Sequence, residues 1–152
     1  MRSTSWLIRK LKADYPNITF LETNIFSWSP NTQTVSYNPL ADDAAAQILH
    51  ELSHAILEHT TYKRDIELVS METDAWSQAA KLAESYDLII KQESAQDHLD
   101  TYRDWLHARS TCPDCTATGY QIDAAKYECT ACSNRWMVNE ARLCGLKRYK
   151  IK

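Results

Sequence analysis

The chain has 152 residues, 44% hydrophobic and 24% charged, with only 2 Gly and 4 Pro. That composition suits a soluble globular domain with a core and room for a small appendage, and excludes collagen-like and low-complexity chains. The net charge of −3 conceals an asymmetry: residues 1–111 carry 10 Lys/Arg against 16 Asp/Glu, or −6, and residues 112–152 carry 7 against 4, or +3. All five Cys fall in the second segment. A division follows into a larger acidic part, 1–110, and a small basic part, 111–152. No apolar run is long enough for a membrane span, and the N-terminus turns charged after Trp6-Leu7-Ile8. A secretory signal needs a longer apolar stretch, so the expected compartment is the cytoplasm.

Thr4 to Asp14 reads as a short amphipathic helix that stops before Pro16, with Trp6, Leu7 and Leu11 inward. Ile18–Leu21, Ile25–Trp28 and Thr34–Tyr37 are rich in β-branched and aromatic residues, and Ser29-Pro30-Asn31-Thr32 is turn chemistry. These predict two or three short antiparallel strands. A helix follows from about Asp42 to His59, with Asp42 or Asp43 at its N-cap. Two more are expected over Ile66–Tyr86 and Ser94–Arg109.

Residues 50–54 read His50-Glu51-Leu52-Ser53-His54, an H-E-x-x-H motif. Four helical residues turn through about 400°, so His50 and His54 share a face and can bind one Zn²⁺. Glu51 lies about 100° round, beside the metal, where it can take a proton from a metal-bound water. Ile48, Leu49, Leu52, Ala55 and Ile56 fall within an apolar arc of about 120° on the other side, so core face and ligand face are separate.

Such a site needs a third protein ligand and an open fourth position. His59 lies about 180° from His50 on an ideal helix and is set aside as a ligand. The next helix offers Glu72, in the middle of an apolar face made by Leu68, Met71, Ala75, Trp76, Ala79, Leu82, Ala83 and Tyr86. An unpaired carboxylate there is costly, so Glu72 needs a partner, either the metal or a buried hydrogen-bonding group. Asp74 falls on the opposite, polar side. Tyr37, His59 and Tyr62 are the nearest candidates in sequence for stabilising an oxyanion.

The motif, followed eighteen residues after His54 by Glu72-Thr73-Asp74-Ala75, resembles the ImmA/IrrE metallopeptidase family over about residues 33–86, roughly half the chain. Trp76 stands where related sequences often carry a small polar residue. The resemblance implies an α+β fold with zincin-like helices on a small antiparallel sheet, and Glu72 as third ligand. It also implies intracellular proteolysis, often of a helix-turn-helix repressor.

Cys112-Pro113-Asp114-Cys115 and Cys129-Thr130-Ala131-Cys132 stand thirteen residues apart. Two such knuckles present four thiolates to one metal, the pattern of a structural four-cysteine zinc ribbon, with Tyr127 and Trp136 to cover it. Two zinc ions per chain are therefore expected, one catalytic and one structural. Thr116 and Ser133 follow the knuckles where Gly is usual, so less regular turns are expected. Cys144 reads as a minor core residue. The basic tail Leu146–Lys152 reads first as a solvated strand, with phosphate contact as the alternative.

The leading function is a zinc metallopeptidase acting on a specific protein, with no membrane partner. A SprT-like protease acting on DNA-associated protein has a similar order of parts. That family takes a downstream His as third ligand, and here only His98 and His107 follow His59, neither before Gly. A non-catalytic ribbon module binding nucleic acid or repressor is the alternative from another class, and an intact Glu51 argues against it.

Overall fold

The first helix, α1 (Thr4–Asp14), starts where Ser3 caps it, the Ser3 hydroxyl accepting from the Trp6 N–H at 3.2 Å. The computed structural model describes residues 2–142 and 145–151. They form an α+β fold of four helices and two small sheets. After α1 come β1 (Thr19–Glu22), β2 (Ser27–Ser29), β3 (Thr34–Tyr37), α2 (Ala44–Ile56), α3 (Asp65–Ser85), α4 (Gln92–Ser110), β4 (Gly119–Asp123), β5 (Lys126–Cys129), β6 (Arg135–Val138) and β7 (Arg148–Ile151). Among the described residues, no helix is long and apolar enough to cross a membrane. The chain divides into two compact units, residues 1–60 with 71–92 and residues 61–70 with 93–152.

In the first unit the sheet order is β1-β3-β2. β2 and β3 form the expected antiparallel hairpin, with Trp28 opposite Val35. β1, however, pairs with β3 in parallel, Phe20 opposite Val35, so the sheet is mixed and not antiparallel throughout. Strand propensity marks where strands lie but not their neighbours. Here the chain turns back after β1 through Thr23, whose N–H donates to the Tyr37 carbonyl at 2.8 Å. Val35 and Tyr37 alternate inward along β3 and meet Ile48, Leu49 and Leu52 of α2, Leu7, Ile8 and Leu11 of α1 and Phe20 of β1 in one buried core. Tyr86 closes the unit, its hydroxyl donating to Asp14 at 2.7 Å.

α2 is shorter than the sequence suggests. Asp43 stands at the N-cap position, but its carboxylate accepts from the Gln47 side chain at 2.8 Å and does not cap the backbone. At the other end the helix stops at Ile56, not His59. Glu58 takes a left-handed conformation with φ 56°. Its N–H donates to the Ala55 carbonyl at 3.1 Å, and the His59 N–H donates to the His54 carbonyl at 2.9 Å. This is a Schellman ending built without glycine, and it turns the chain back over the last turn of the helix.

In the second unit, Asp65 at the start of α3 and Arg109 at the end of α4 are 2% and 3% exposed and pair at 2.7 Å. Tyr127 of β5 donates to the same carboxylate at 2.5 Å, and Arg109 donates to the Asn139 carbonyl at 2.7 Å. The Trp136 indole N–H donates back to the Arg109 carbonyl at 2.8 Å. A buried ion pair persists only when its remaining donors and acceptors are satisfied, and here the Tyr127 hydroxyl serves the carboxylate while the Asn139 and Ala124 carbonyls accept from the guanidinium. The compositional boundary between residues 110 and 111 therefore falls inside this unit.

The second sheet runs β4-β5-β6-β7, antiparallel throughout. Its inner face buries Tyr127, Cys129, Trp136 and Val138 with Cys112. Gly119 is required here, because a Cβ would lie 2.5 Å from the Trp136 ring and 2.6 Å from the Glu128 carbonyl oxygen. The basic tail forms β7, an exposed edge strand paired with β6.

Candidate metal centres

The helical period of α2 sets His50 and His54 one turn apart, 6% and 8% exposed. Their Nε2 atoms converge to 3.2 Å, with ring planes 79° apart. Glu72 of α3 meets both, one carboxylate oxygen 3.0 Å from His50 Nε2 and the other 3.3 Å from His54 Nε2. The apolar stripe around Glu72 is buried as its spacing predicts, including Leu68, Ala75, Trp76, Ala79 and Leu82. Glu72 is itself only 6% exposed, and the two imidazoles are its partners. Burial pushes the Glu72 carboxyl up, but the hydrogen bonds and charge of His50 and His54 outweigh this and hold it at about 2. Asp74 is exposed, outside the cluster.

Glu51 stands beside this cluster and is not part of it. Desolvation raises its carboxyl to about 7, with Glu72 adding to the rise; the charge of His54 and a backbone hydrogen bond from Trp28 of β2 act against it. Two further side chains hold the histidines. The Trp76 indole stacks on the His50 ring, and His59 Nδ1 lies 2.8 Å from His54 Nδ1. Burial lowers the His59 pKa, and the neighbouring His54 adds to the effect.

The donor set fits a divalent metal. A tetrahedral ion with bonds of about 2.0 Å has ligand–ligand edges of about 3.3 Å, and the edges here are 3.0, 3.2 and 3.3 Å. Two imidazole nitrogens and a carboxylate are a zinc donor set, and three protein ligands leave the fourth position open.

The four cysteines form the second centre, and no disulfide links them. Cys112 Sγ lies 3.6 Å from Cys132 Sγ, and Cys115 Sγ lies 3.4 Å from Cys129 Sγ. Tetrahedral thiolate sites have edges of about 3.8 Å, close to these separations. Thr116 and Ser133, at φ 64° and 60°, adopt the left-handed turn that glycine usually supplies. The backbone N–H groups of Cys132 and Ala131 point at Cys129 Sγ and pull that thiol below its ordinary pKa. Both centres are compatible with zinc, and they are the groups of metal-ligating character among the described residues. Cys144 lies outside the described residues.

Tyr37 is buried in β3 and lines a cleft of about 510 Å³ with Ser3, Arg9 and Glu22, none of them in either metal cluster. Tyr62 is exposed and belongs to the second unit, as do His98 and His107 of α4. Sequence reasoning missed three contacts. Trp76 carried a signal, one turn after Glu72 on the same face. His59 carried none, because its place depends on a left-handed Glu58. The Trp28 bond to Glu51 depends on strand order.

No family model matches the chain, and searches of curated proteins and of solved structures return no significant match.

Proposed function

We propose that this chain is a zinc-dependent metallopeptidase of the ImmA/IrrE kind, with a zincin-like first unit and a zinc ribbon in the second. One observation carries the reading: Glu72 closes on His50 and His54 while Glu51, next along the motif, stays out of the ligand set. A glutamate as third ligand also favours this family over a SprT-like one, whose third ligand is a histidine.

His50, His54 and Glu72 would hold the catalytic zinc, which supplies an activated water and polarises a carbonyl. Glu51 takes the proton of the attacking water and passes it to the leaving amine. Its place beside the ligand set and outside it is what a proton carrier needs. The Trp28 N–H holds this carboxylate in place. β2, the edge of its sheet, offers an extended substrate segment a strand to pair with. Cys112, Cys115, Cys129 and Cys132 would hold a structural zinc. The family resemblance makes a helix-turn-helix repressor in the cytoplasm the proposed substrate.

The test is incubation of the zinc-loaded chain with helix-turn-helix repressors encoded beside its gene, products being read by mass spectrometry. Glu51→Gln should retain both zinc ions and lose cleavage, since Glu51 is a base and not a ligand. Cleavage by this variant at the wild-type rate, or by neither protein, would overturn the reading.

A further inference from the structure

The Schellman ending of α2 brings His59 back onto its own last turn. Its N–H donates to the His54 carbonyl at 2.9 Å, and its ring nitrogen Nδ1 reaches His54 Nδ1 at 2.8 Å. Both contacts fall on one residue, so His59 is fixed to His54 by backbone and side chain together. The rings are 60° apart, with centroids at 5.1 Å, so the contact is a hydrogen bond between ring edges and not a stack.

The sense of this bond follows from the site. His54 turns Nε2 toward His50 and Glu72. To offer a lone pair there, a neutral imidazole must carry its one proton on Nδ1. With a metal on His54 Nε2, the one remaining proton would sit on Nδ1, so His54 Nδ1–H would donate, His59 Nδ1 would accept, and His59 would carry its own proton on Nε2. A metal-binding histidine commonly gives its second N–H to a carboxylate or a backbone carbonyl, which sets its tautomer, ring orientation and basicity.

We infer that His59 is a positioning residue for metal binding, an imidazole acceptor that locks His54 as the Nδ1–H tautomer. The inference rests on the metal reading of the first centre and extends it to a residue outside the H-E-x-x-H motif.

The experiment uses the intact chain and three variants. His59→Phe keeps a planar ring without an acceptor, and His59→Ala removes both. His59→Asn restores an acceptor, its Oδ1 standing where Nδ1 stood. Zinc affinity is measured by competition with a chelator. Cobalt substitution separates the two centres, because only the four-cysteine site gives a thiolate charge-transfer band in the near ultraviolet. The expected result is about a 10- to 100-fold weaker affinity at the first centre in the His59→Phe and His59→Ala variants. The visible cobalt bands should change with it, the thiolate band should stay, and His59→Asn should recover the affinity. Wild-type affinity in His59→Phe, or a loss in His59→Asn equal to that in His59→Phe, would overturn the inference. Wild-type chain with no metal at His50, His54 and Glu72 would overturn it together with the peptidase reading. Metal binding that depends on His59 without any peptide cleavage would support it and overturn the peptidase reading alone.

Discussion

The Trp76 indole lies flat on the His50 imidazole, ring centroids 4.2 Å apart and planes 20° apart. Trp76 is 5% exposed and one turn beyond Glu72, so the helix that supplies the carboxylate also supplies a wall for the first histidine. The stack limits rotation of the ring and excludes water from one side of it.

Trp76→Ala should therefore act twice. Removing a buried Trp costs about 3–5 kcal/mol of stability. It should also weaken metal binding at the first centre, since His50 regains freedom. Trp76→Phe retains a stacking ring and should lose less of both. Thermal unfolding and chelator competition on the two variants check this; equal metal affinity in wild type and both variants would show that the stack does not position His50.

The two acidic residues of Glu72-Thr73-Asp74 should separate cleanly. The wild-type chain should hold two zinc ions. Glu72→Ala should hold one, at the cysteines, and Asp74→Ala should hold two, because Asp74 is exposed and outside the cluster. Metal analysis of the purified variants decides it, and a zinc requirement for Asp74 but not Glu72 would overturn the assignment.

Asp65 and Arg109 should behave as a buried pair. Arg109→Ala leaves the Asp65 carboxylate with Tyr127 but no cation, and should destabilise the second unit by about 3–5 kcal/mol. Asp65→Leu combined with Arg109→Met should cost less than Arg109→Ala alone, since neither change then strands a charge. Chemical denaturation of the three chains checks the order, and a double variant less stable than Arg109→Ala would contradict it.

Truncation after Thr111 removes Tyr127, Trp136 and Asn139 from the same network, so amide exchange in α4 should rise in the shortened chain. Unchanged protection in α4 after that truncation would show that residues 1–111 hold together without residues 112–152.

Local spacing determined the features that repeat along a single element. The 3.6-residue period put His50 and His54 on one face of α2, and it put Glu72 inside the buried stripe of α3. The Cys-x-x-Cys pairs needed only a chain flexible enough to fold back for four sulfurs to meet. Contacts between elements depended on information that no single stretch contains. The parallel pairing of β1 with β3 placed β2 at the sheet edge, and the Trp28 N–H reaches Glu51 from there. The left-handed turn at Glu58 overrode the ideal helical phase and returned His59 to His54, because a helix end is set by capping geometry and not by periodicity. Charge composition likewise divided the chain at residue 111, yet the burial of Asp65 against Arg109 and Tyr127 joined residues from α3, α4 and β5 in one unit. Composition counts charges, whereas desolvation forces those that are buried to find partners wherever the fold brings them.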